Sequence, residues 1–302
     1  MEEYDFIIIG GGCAGYPSAV YASRYNLKTL VIAKEMGGLI STTQEVENYP
    51  GFNSIGGLEL AQKLEDQVKH NNVEIVNDTV DTIKKEGDYF ILKTNLKEET
   101  FKAKTILLAT GTKHRHLGIE SEEKFKGRGV SFCATCDGMF FRNKVVGVIG
   151  GGDSAVKDAI VLAQHSSKVY MFVRSYVKAE PTNQEQLKKF DNIEIIEGVN
   201  VKEIKGDNLV KSVLLDNEKE IELNGVFMAI GLIPQSELAK SLGVNVNDMG
   251  EVEIDKMSKT NVEGVFSAGD VTNNSWKQAI IASAQGSMAA HSAYEYIQKK
   301  FK

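Results

Sequence analysis

Short runs of apolar, mostly β-branched residues punctuate this chain, and two of them run straight into glycine clusters. Tyr4-Asp5-Phe6-Ile7-Ile8-Ile9 leads into Gly10-Gly11-Gly12-Cys13-Ala14-Gly15. Lys144-Val145-Val146-Gly147-Val148-Ile149 leads into Gly150-Gly151-Gly152-Asp153-Ser154-Ala155. Such runs, bounded by glycine, predict buried strands. A helical pattern follows each cluster, over 14–25 and 153–164. A second apolar run then follows, Lys28-Thr29-Leu30-Val31-Ile32 in the first case and Val169-Tyr170-Met171-Phe172-Val173 in the second. Each set is a strand–helix–strand unit of about 30 residues. Helical periodicity returns over 57–70, and alternation over 73–100 predicts antiparallel strands. Thr105-Ile106-Leu107-Leu108-Ala109-Thr110-Gly111 predicts a buried strand ending on glycine. Short strands over 193–223 end in the same way at Val226-Phe227-Met228-Ala229-Ile230-Gly231.

The pattern therefore occurs twice, which predicts an α/β chain of two Rossmann-like dinucleotide-binding domains with three-layer ββα architecture. Residues 245–302 are too few for a third domain, although they carry Gly264-Val265-Phe266-Ser267-Ala268-Gly269-Asp270 and a helix over about 277–299. They are expected to pack back on the first domain. The first domain is then discontinuous, 1–114 and 242–302, with the second, 115–241, inserted in it. Two linkers, near 112–118 and 234–245, would allow a hinge.

Composition narrows the function. The 302 residues carry a net charge of −6 and no basic run, which argues against nucleic acid as a partner. No run approaches the roughly eighteen apolar residues of a membrane span. The N-terminus lacks the basic region of a secretory signal and reads as a strand. Two of the three cysteines fall in Cys133-Ala134-Thr135-Cys136-Asp137. That usage fits a reducing compartment, the cytoplasm, and a catalytic pair. A zinc half-site would need a second Cys or His pair, and none stands at zinc spacing, so no metal is expected.

The residue types then suggest roles. Gly10 permits a tight turn, Gly12 lets backbone approach a pyrophosphate, and Gly15 lets helix and strand pack closely. The helix N-terminus beyond them favours an anion. Glu35 is the acid nearest the end of the second strand and the candidate for a ribose hydroxyl. Cys13 reads as a small packing residue. Asp270 could accept from a ribityl hydroxyl. In the second turn Ala155 takes the place of the third glycine, and Asp153 and Ser154 could cap the helix. Arg174 and Lys178 follow the next strand, where a basic residue selects a 2′-phosphate. Asp137, adjoining Cys136, suits proton transfer to or from a thiol.

With these residues in place, the chain resembles the low-molecular-weight thioredoxin reductases along nearly its whole length. The carriers are Gly10–Gly15, Glu45-Val46-Glu47-Asn48-Tyr49-Pro50-Gly51, Ala109-Thr110-Gly111, Cys133–Asp137, Gly150–Ala155, Gly264–Asp270 and Lys277-Gln278-Ala279. The resemblance implies a homodimer with FAD on the discontinuous domain and NADPH on the inserted one, which swings between two orientations. It places Gly10, Gly12, Cys13, Ala14, Gly15, Glu35 and Asn48 at FAD. Ala109, Gly111, Gly269, Asp270, Lys277, Gln278 and Ala279 join them. At the nicotinamide dinucleotide it places Gly150, Gly152, Asp153, Ser154, Ala155, Arg174 and Lys178. Cys136 would face the flavin, Cys133 would attack the disulfide of thioredoxin, and Asp137 would be the acid–base group. Three positions depart from the family: Cys13 stands for Pro, Leu39 for Gln, and Val173-Arg174-Ser175 for His-Arg-Arg. The last leaves the donor open between NADPH, NADH and reduced ferredoxin. A ferredoxin-NADP-type reductase and a redox sensor are the other functions the architecture allows.

Overall fold

The computed structural model describes residues 1–43 and 46–302; Glu45, one carrier of the resemblance, lies outside the described residues. The chain forms two units, Met1–Lys113 with Ile233–Lys302, and His114–Leu232.

In the first unit the strand Glu2–Ile9 lies between Thr29–Ile32 and Thr100–Leu108, parallel to both. Glu74–Val76 extends the sheet on one side and Val265–Ser267 on the other, both parallel. Tyr89–Thr94 and Val80–Glu86 add an antiparallel pair to the first half of Thr100–Leu108. The alternation over 73–100 therefore holds for its later strands, whereas Glu74–Val76 is a parallel strand. Three residues are too few for the side-chain pattern to distinguish the two pairings.

The second half of the central strand, Phe6 to Ile9, is apolar throughout because both of its faces are covered. Phe6 and Ile8 pack with Ala19, Ala22 and Ala289 of the helices Gly15–Arg24 and Ala279–Lys300. Ile7 and Ile9 pack with Phe90 and Leu92 of the antiparallel pair and with Ala239 and Val244. Ala239 lies on the helix Glu237–Ser241. This packing returns the chain to the first unit at Ile233, ahead of the position 242 expected from sequence.

The second unit repeats the plan. Its parallel sheet runs Ile193–Glu197, Lys168–Val173, Val145–Ile149, Gly225–Met228, Val130–Ser131. The helix Asp153–Ala163 covers one face through Val156, Ala159 and Leu162. An antiparallel meander, Val201–Gly206, Val210–Leu215 and Glu220–Glu222, contributes Ile204, Val213 and Ile221 to the other core. The two chain crossings, Thr112–His114 and Leu232–Pro234, pair as a two-stranded sheet.

Close helix packing in the first unit depends on Gly286, where a Cβ would stand 2.0 Å from the Ala14 carbonyl oxygen. Gly286→Ala is expected to force the two helices apart and cost about 1–3 kcal/mol, as overpacked cores do. Chemical denaturation of the variant beside the parent measures the loss.

Candidate active site

The first glycine turn is built by backbone crowding. Gly10 has φ +116°, and a Cβ there would fall 2.2 Å from the Ala109 carbonyl oxygen. The ends of two neighbouring strands thus touch, bringing Ala109 and Gly111 beside the turn. A Cβ at Gly15 would fall 1.8 Å from the Gly10 carbonyl oxygen. The helix Gly15–Arg24 has no side-chain cap; its Tyr16 N–H donates to the Gly12 carbonyl at 3.1 Å and Pro17 has no N–H, so an anion here meets the bare backbone of the glycine turn and the positive end of the helix.

Ala14 also touches the turn Gly269–Asp270, since a Cβ at Gly269 would lie 3.0 Å from the Ala14 Cβ. Desolvation raises the Asp270 carboxyl, with Lys277 opposing. Desolvation also pushes the Cys13 thiol up to about 12, with the Asp270 charge adding to it, so Cys13 is an inert neutral thiol at neutral pH. A partly desolvated acid facing a cradle without side chains fits a hydroxylated, pyrophosphate-bearing group such as FAD.

The long C-terminal helix completes this region. Gln278 precedes it and Ala279 opens it, again with no side-chain cap. Asn48 Nδ2 donates to Gln278 Oε1 at 3.2 Å. Lys277 is engaged with the Glu251 carboxylate at 2.9 Å and with the Thr272 carbonyl, so its side chain braces the turn. Glu35 is exposed beyond the second strand.

Two residues here gave no sequence signal. Gln285 Oε1 accepts from the Gly269 N–H at 2.9 Å. Ser283 Oγ donates to the Cys13 carbonyl at 2.9 Å. Both lie on the C-terminal helix, far along the chain from the loops they hold.

The second turn repeats the first. Gly150 has φ +144°, and a Cβ there would fall 2.3 Å from the Ala229 carbonyl oxygen. Gly152 has open space where a Cβ would point, so its backbone is accessible. The helix Asp153–Ala163 has no side-chain cap, which removes the capping role considered for Asp153 and Ser154. Asp153 Oδ1 instead accepts from Asn183 Nδ2 at 2.6 Å and the Glu180 N–H at 2.9 Å. The Asn183 bond, followed by the Glu180 bond, lowers its pKa. Ser154 is exposed and Ala155 is buried.

Arg174 and Lys178 lie in the loop after Lys168–Val173, and Lys178 N–H donates to the Gly151 carbonyl at 2.7 Å. In the same loop the Val177 N–H donates to Glu197 Oε1 at 2.9 Å. Sequence inspection did not single out Glu197. It ends a separate strand, and only the parallel pairing Val173↔Glu197 brings it here.

The redox pair follows the edge strand Val130–Ser131 in the same unit. Cys133 and Cys136 form a disulfide with Cα atoms 5.3 Å apart, inside the normal range. Cys133 caps the short helix Ala134–Asp137, its Sγ accepting from the Cys136 N–H at 3.2 Å. That donor favours thiolate on Cys133 once the disulfide is reduced. Asp137 Oδ2 accepts from Ser131 Oγ at 2.6 Å, whereas Oδ1 is buried without a protein partner. Burial raises the Asp137 carboxyl and the Ser131 bond opposes it. A carboxyl that holds its proton more tightly than usual, beside a dithiol, can give that proton to a leaving thiolate and take one back.

A dinucleotide cradle and a disulfide in one unit, with a second cradle in the other, define a disulfide oxidoreductase. The pyridine nucleotide-disulphide oxidoreductase family model matches residues 4–286. Thioredoxin reductase of Bacillus subtilis is 38% identical, covering 98% of this chain and 95% of that protein. Thioredoxin reductase of Treponema pallidum is 39% identical, covering 98% and 97%. The crystal structure of thioredoxin reductase from Streptococcus pyogenes matches with a TM-score of 0.89 at 36% identity, covering 98% of this chain and 99% of that one. This chain belongs to the pyridine nucleotide-disulphide oxidoreductases, within them to the low-molecular-weight thioredoxin reductases. Membership makes it an oxidoreductase and implies FAD and a pyridine nucleotide as cofactors. Among the described residues no helix is long and apolar enough to cross a membrane, and no cluster of side chains could hold a metal ion.

Asp137 also makes a prediction about stability. Its pKa is raised in the folded state, so folding favours the protonated form. Ionisation therefore costs stability, beginning above the unfolded value and reaching its full size above the folded one. Asp137→Asn is expected to gain stability relative to the parent as pH rises through that window, while thioredoxin reduction falls. Melting temperatures of the two proteins at several pH values, read with their activities, check this.

Proposed function

We propose that this chain is a thioredoxin-disulfide reductase drawing electrons from NADPH, and that it acts as a cytoplasmic homodimer. The observation that carries the reading is the Cys133–Cys136 disulfide, with Asp137 beside it, in the unit that holds the second glycine turn. The discontinuous unit would hold FAD through Gly10, Gly12, Gly15, Asn48, Gln278 and Ala279, with Asp270 accepting from a hydroxyl. Cys13, Ala14, Ala109, Gly111 and Gly269 would line the cradle, Lys277 would brace it, and Glu35 would reach the ribose. The inserted unit would hold the nicotinamide dinucleotide on Gly150, Gly152, Ser154 and Ala155, with Arg174 and Lys178 toward a 2′-phosphate and Asp153 holding the loop.

When bound, FAD supplies hydride acceptance from the reduced nicotinamide and electron-pair delivery to the disulfide. The remaining chemistry belongs to the chain. Cys133 thiolate, favoured by the Cys136 N–H, attacks one sulfur of the thioredoxin disulfide. The other thioredoxin sulfur leaves as thiolate and takes a proton from Asp137. Asp137 then takes the Cys136 proton, and Cys136 attacks Cys133 Sγ. The mixed disulfide breaks, the internal disulfide re-forms, and the second thioredoxin sulfur leaves as thiolate and takes that proton from Asp137.

A second reading changes only the donor. Val173 and Ser175 stand where the family has His and Arg, and the Glu197 carboxylate is anchored in the same loop. An acid there opposes a 2′-phosphate, which favours NADH or reduced ferredoxin.

Anaerobic titration with NADPH, NADH and reduced ferredoxin, followed by flavin absorbance, tests the donor. Bleaching by NADPH supports the first reading, and bleaching by only one of the others supports the second. Cys136→Ser tests the dithiol. It is expected to lower steady turnover with thioredoxin by at least about a thousandfold and to accumulate a Cys133–thioredoxin mixed disulfide. Undiminished turnover would take Cys136 out of the electron path and overturn the dithiol mechanism.

A further inference from the structure

Ser131 ends the strand before the redox pair, and its side chain is buried. Two contacts fix the direction of its hydroxyl. The Cys133 backbone N–H donates to Ser131 Oγ at 3.1 Å. Asp137 Oδ2 lies 2.6 Å from the same oxygen, while the Cys133 carbonyl is much more distant at 3.5 Å. A hydroxyl has one proton to give. With a lone pair taken by the Cys133 N–H, that proton goes to its nearest acceptor, Oδ2. Oδ2 is thereby used as an acceptor. Oδ1, buried and without a protein partner, is left as the oxygen that carries the acid proton.

We propose that Ser131 is a positioning residue for disulfide exchange: it orients Asp137 so that the transferable proton sits on Oδ1, and it ties this carboxyl to the backbone of Cys133. The inference rests on the reading of Asp137 as the acid–base group. In the step, the Oδ1–H bond breaks and an S–H bond forms on the thioredoxin thiolate as it departs from the attacked disulfide. The electron pair of the broken S–S bond stays on that sulfur. The carboxylate left behind keeps its hydrogen bond from Ser131 until the Cys136 thiol proton restores the acid. Without the hydroxyl the carboxylate loses its one protein donor, so the acid becomes weaker.

Holoenzyme reduced anaerobically with dithionite is mixed rapidly with oxidised thioredoxin, and the exchange rate is followed against pH. Parent, Ser131→Ala, Ser131→Thr, Asp137→Asn and the Ser131→Ala/Asp137→Asn double variant are compared, with flavin content per protomer reporting folding. The pH limb set by Asp137 is expected to move up by about one unit in Ser131→Ala and to stay in place in Ser131→Thr. The double variant is expected to show the profile of Asp137→Asn, with that limb absent. Should Ser131→Ala fail to take up flavin, Ser131→Cys, a weaker donor of similar shape, is expected to give a smaller upward shift. Uniform slowing with the limb unmoved, or a shift that persists without Asp137, overturns the role of Ser131. A limb that survives in Asp137→Asn overturns the acid–base reading itself, and this inference with it.

Discussion

Each unit depends on a position where no side chain can exist. At Gly10 and Gly150 the backbone has positive φ, and a Cβ would collide with the carbonyl of Ala109 or Ala229. Because both positions are bare, the end of the first strand in each sheet reaches the end of its neighbour. The following helix then starts directly above the strand ends. Neither helix spends its first N–H groups on a side-chain cap. An uncapped helix terminus beside bare backbone is an anion site. The Ala-x-Gly ending of the partner strand, seen in both halves, is the other side of the same contact.

The inserted unit adds redox chemistry to that frame. Gly225–Met228 pairs on one side with Val145–Ile149, which leads into the glycine turn, and on the other with Val130–Ser131, which leads into the disulfide. One sheet thus fixes the cradle and the dithiol together. The sulfurs are unequal, since only Cys133 receives the N–H at the start of the short helix. The acid beside them is held by one oxygen and left unpaired at the other, an arrangement that costs stability and keeps a proton available.

Features carried by neighbouring residues were legible in the sequence: both glycine turns, the redox pair and the apolar strands. Features created by distant pairing were not. The carboxylate of Asp153 reads as a cap for its own helix, yet it holds the backbone at Glu180 and the Asn183 side chain. Glu197 reaches the donor loop through a parallel register that no local pattern encodes. Gln285 and Ser283 look like ordinary polar positions of a long helix until its packing sets them against Gly269 and Cys13. Glu237–Ser241 seemed to belong to the inserted part, because its apolar residues do not reveal which core receives them.

The central claim is that flavin and dithiol form one electron store in each chain. Anaerobic dithionite titration of the flavoprotein to its reduced end point, with thiols counted before and after, tests this most directly. The account predicts uptake of two electron pairs per chain, one on the flavin and one appearing as the Cys133 and Cys136 thiols, with a single pair taken up by Cys136→Ser. Uptake of one pair by the parent, with Cys133–Cys136 still oxidised when the flavin is fully reduced, would contradict it.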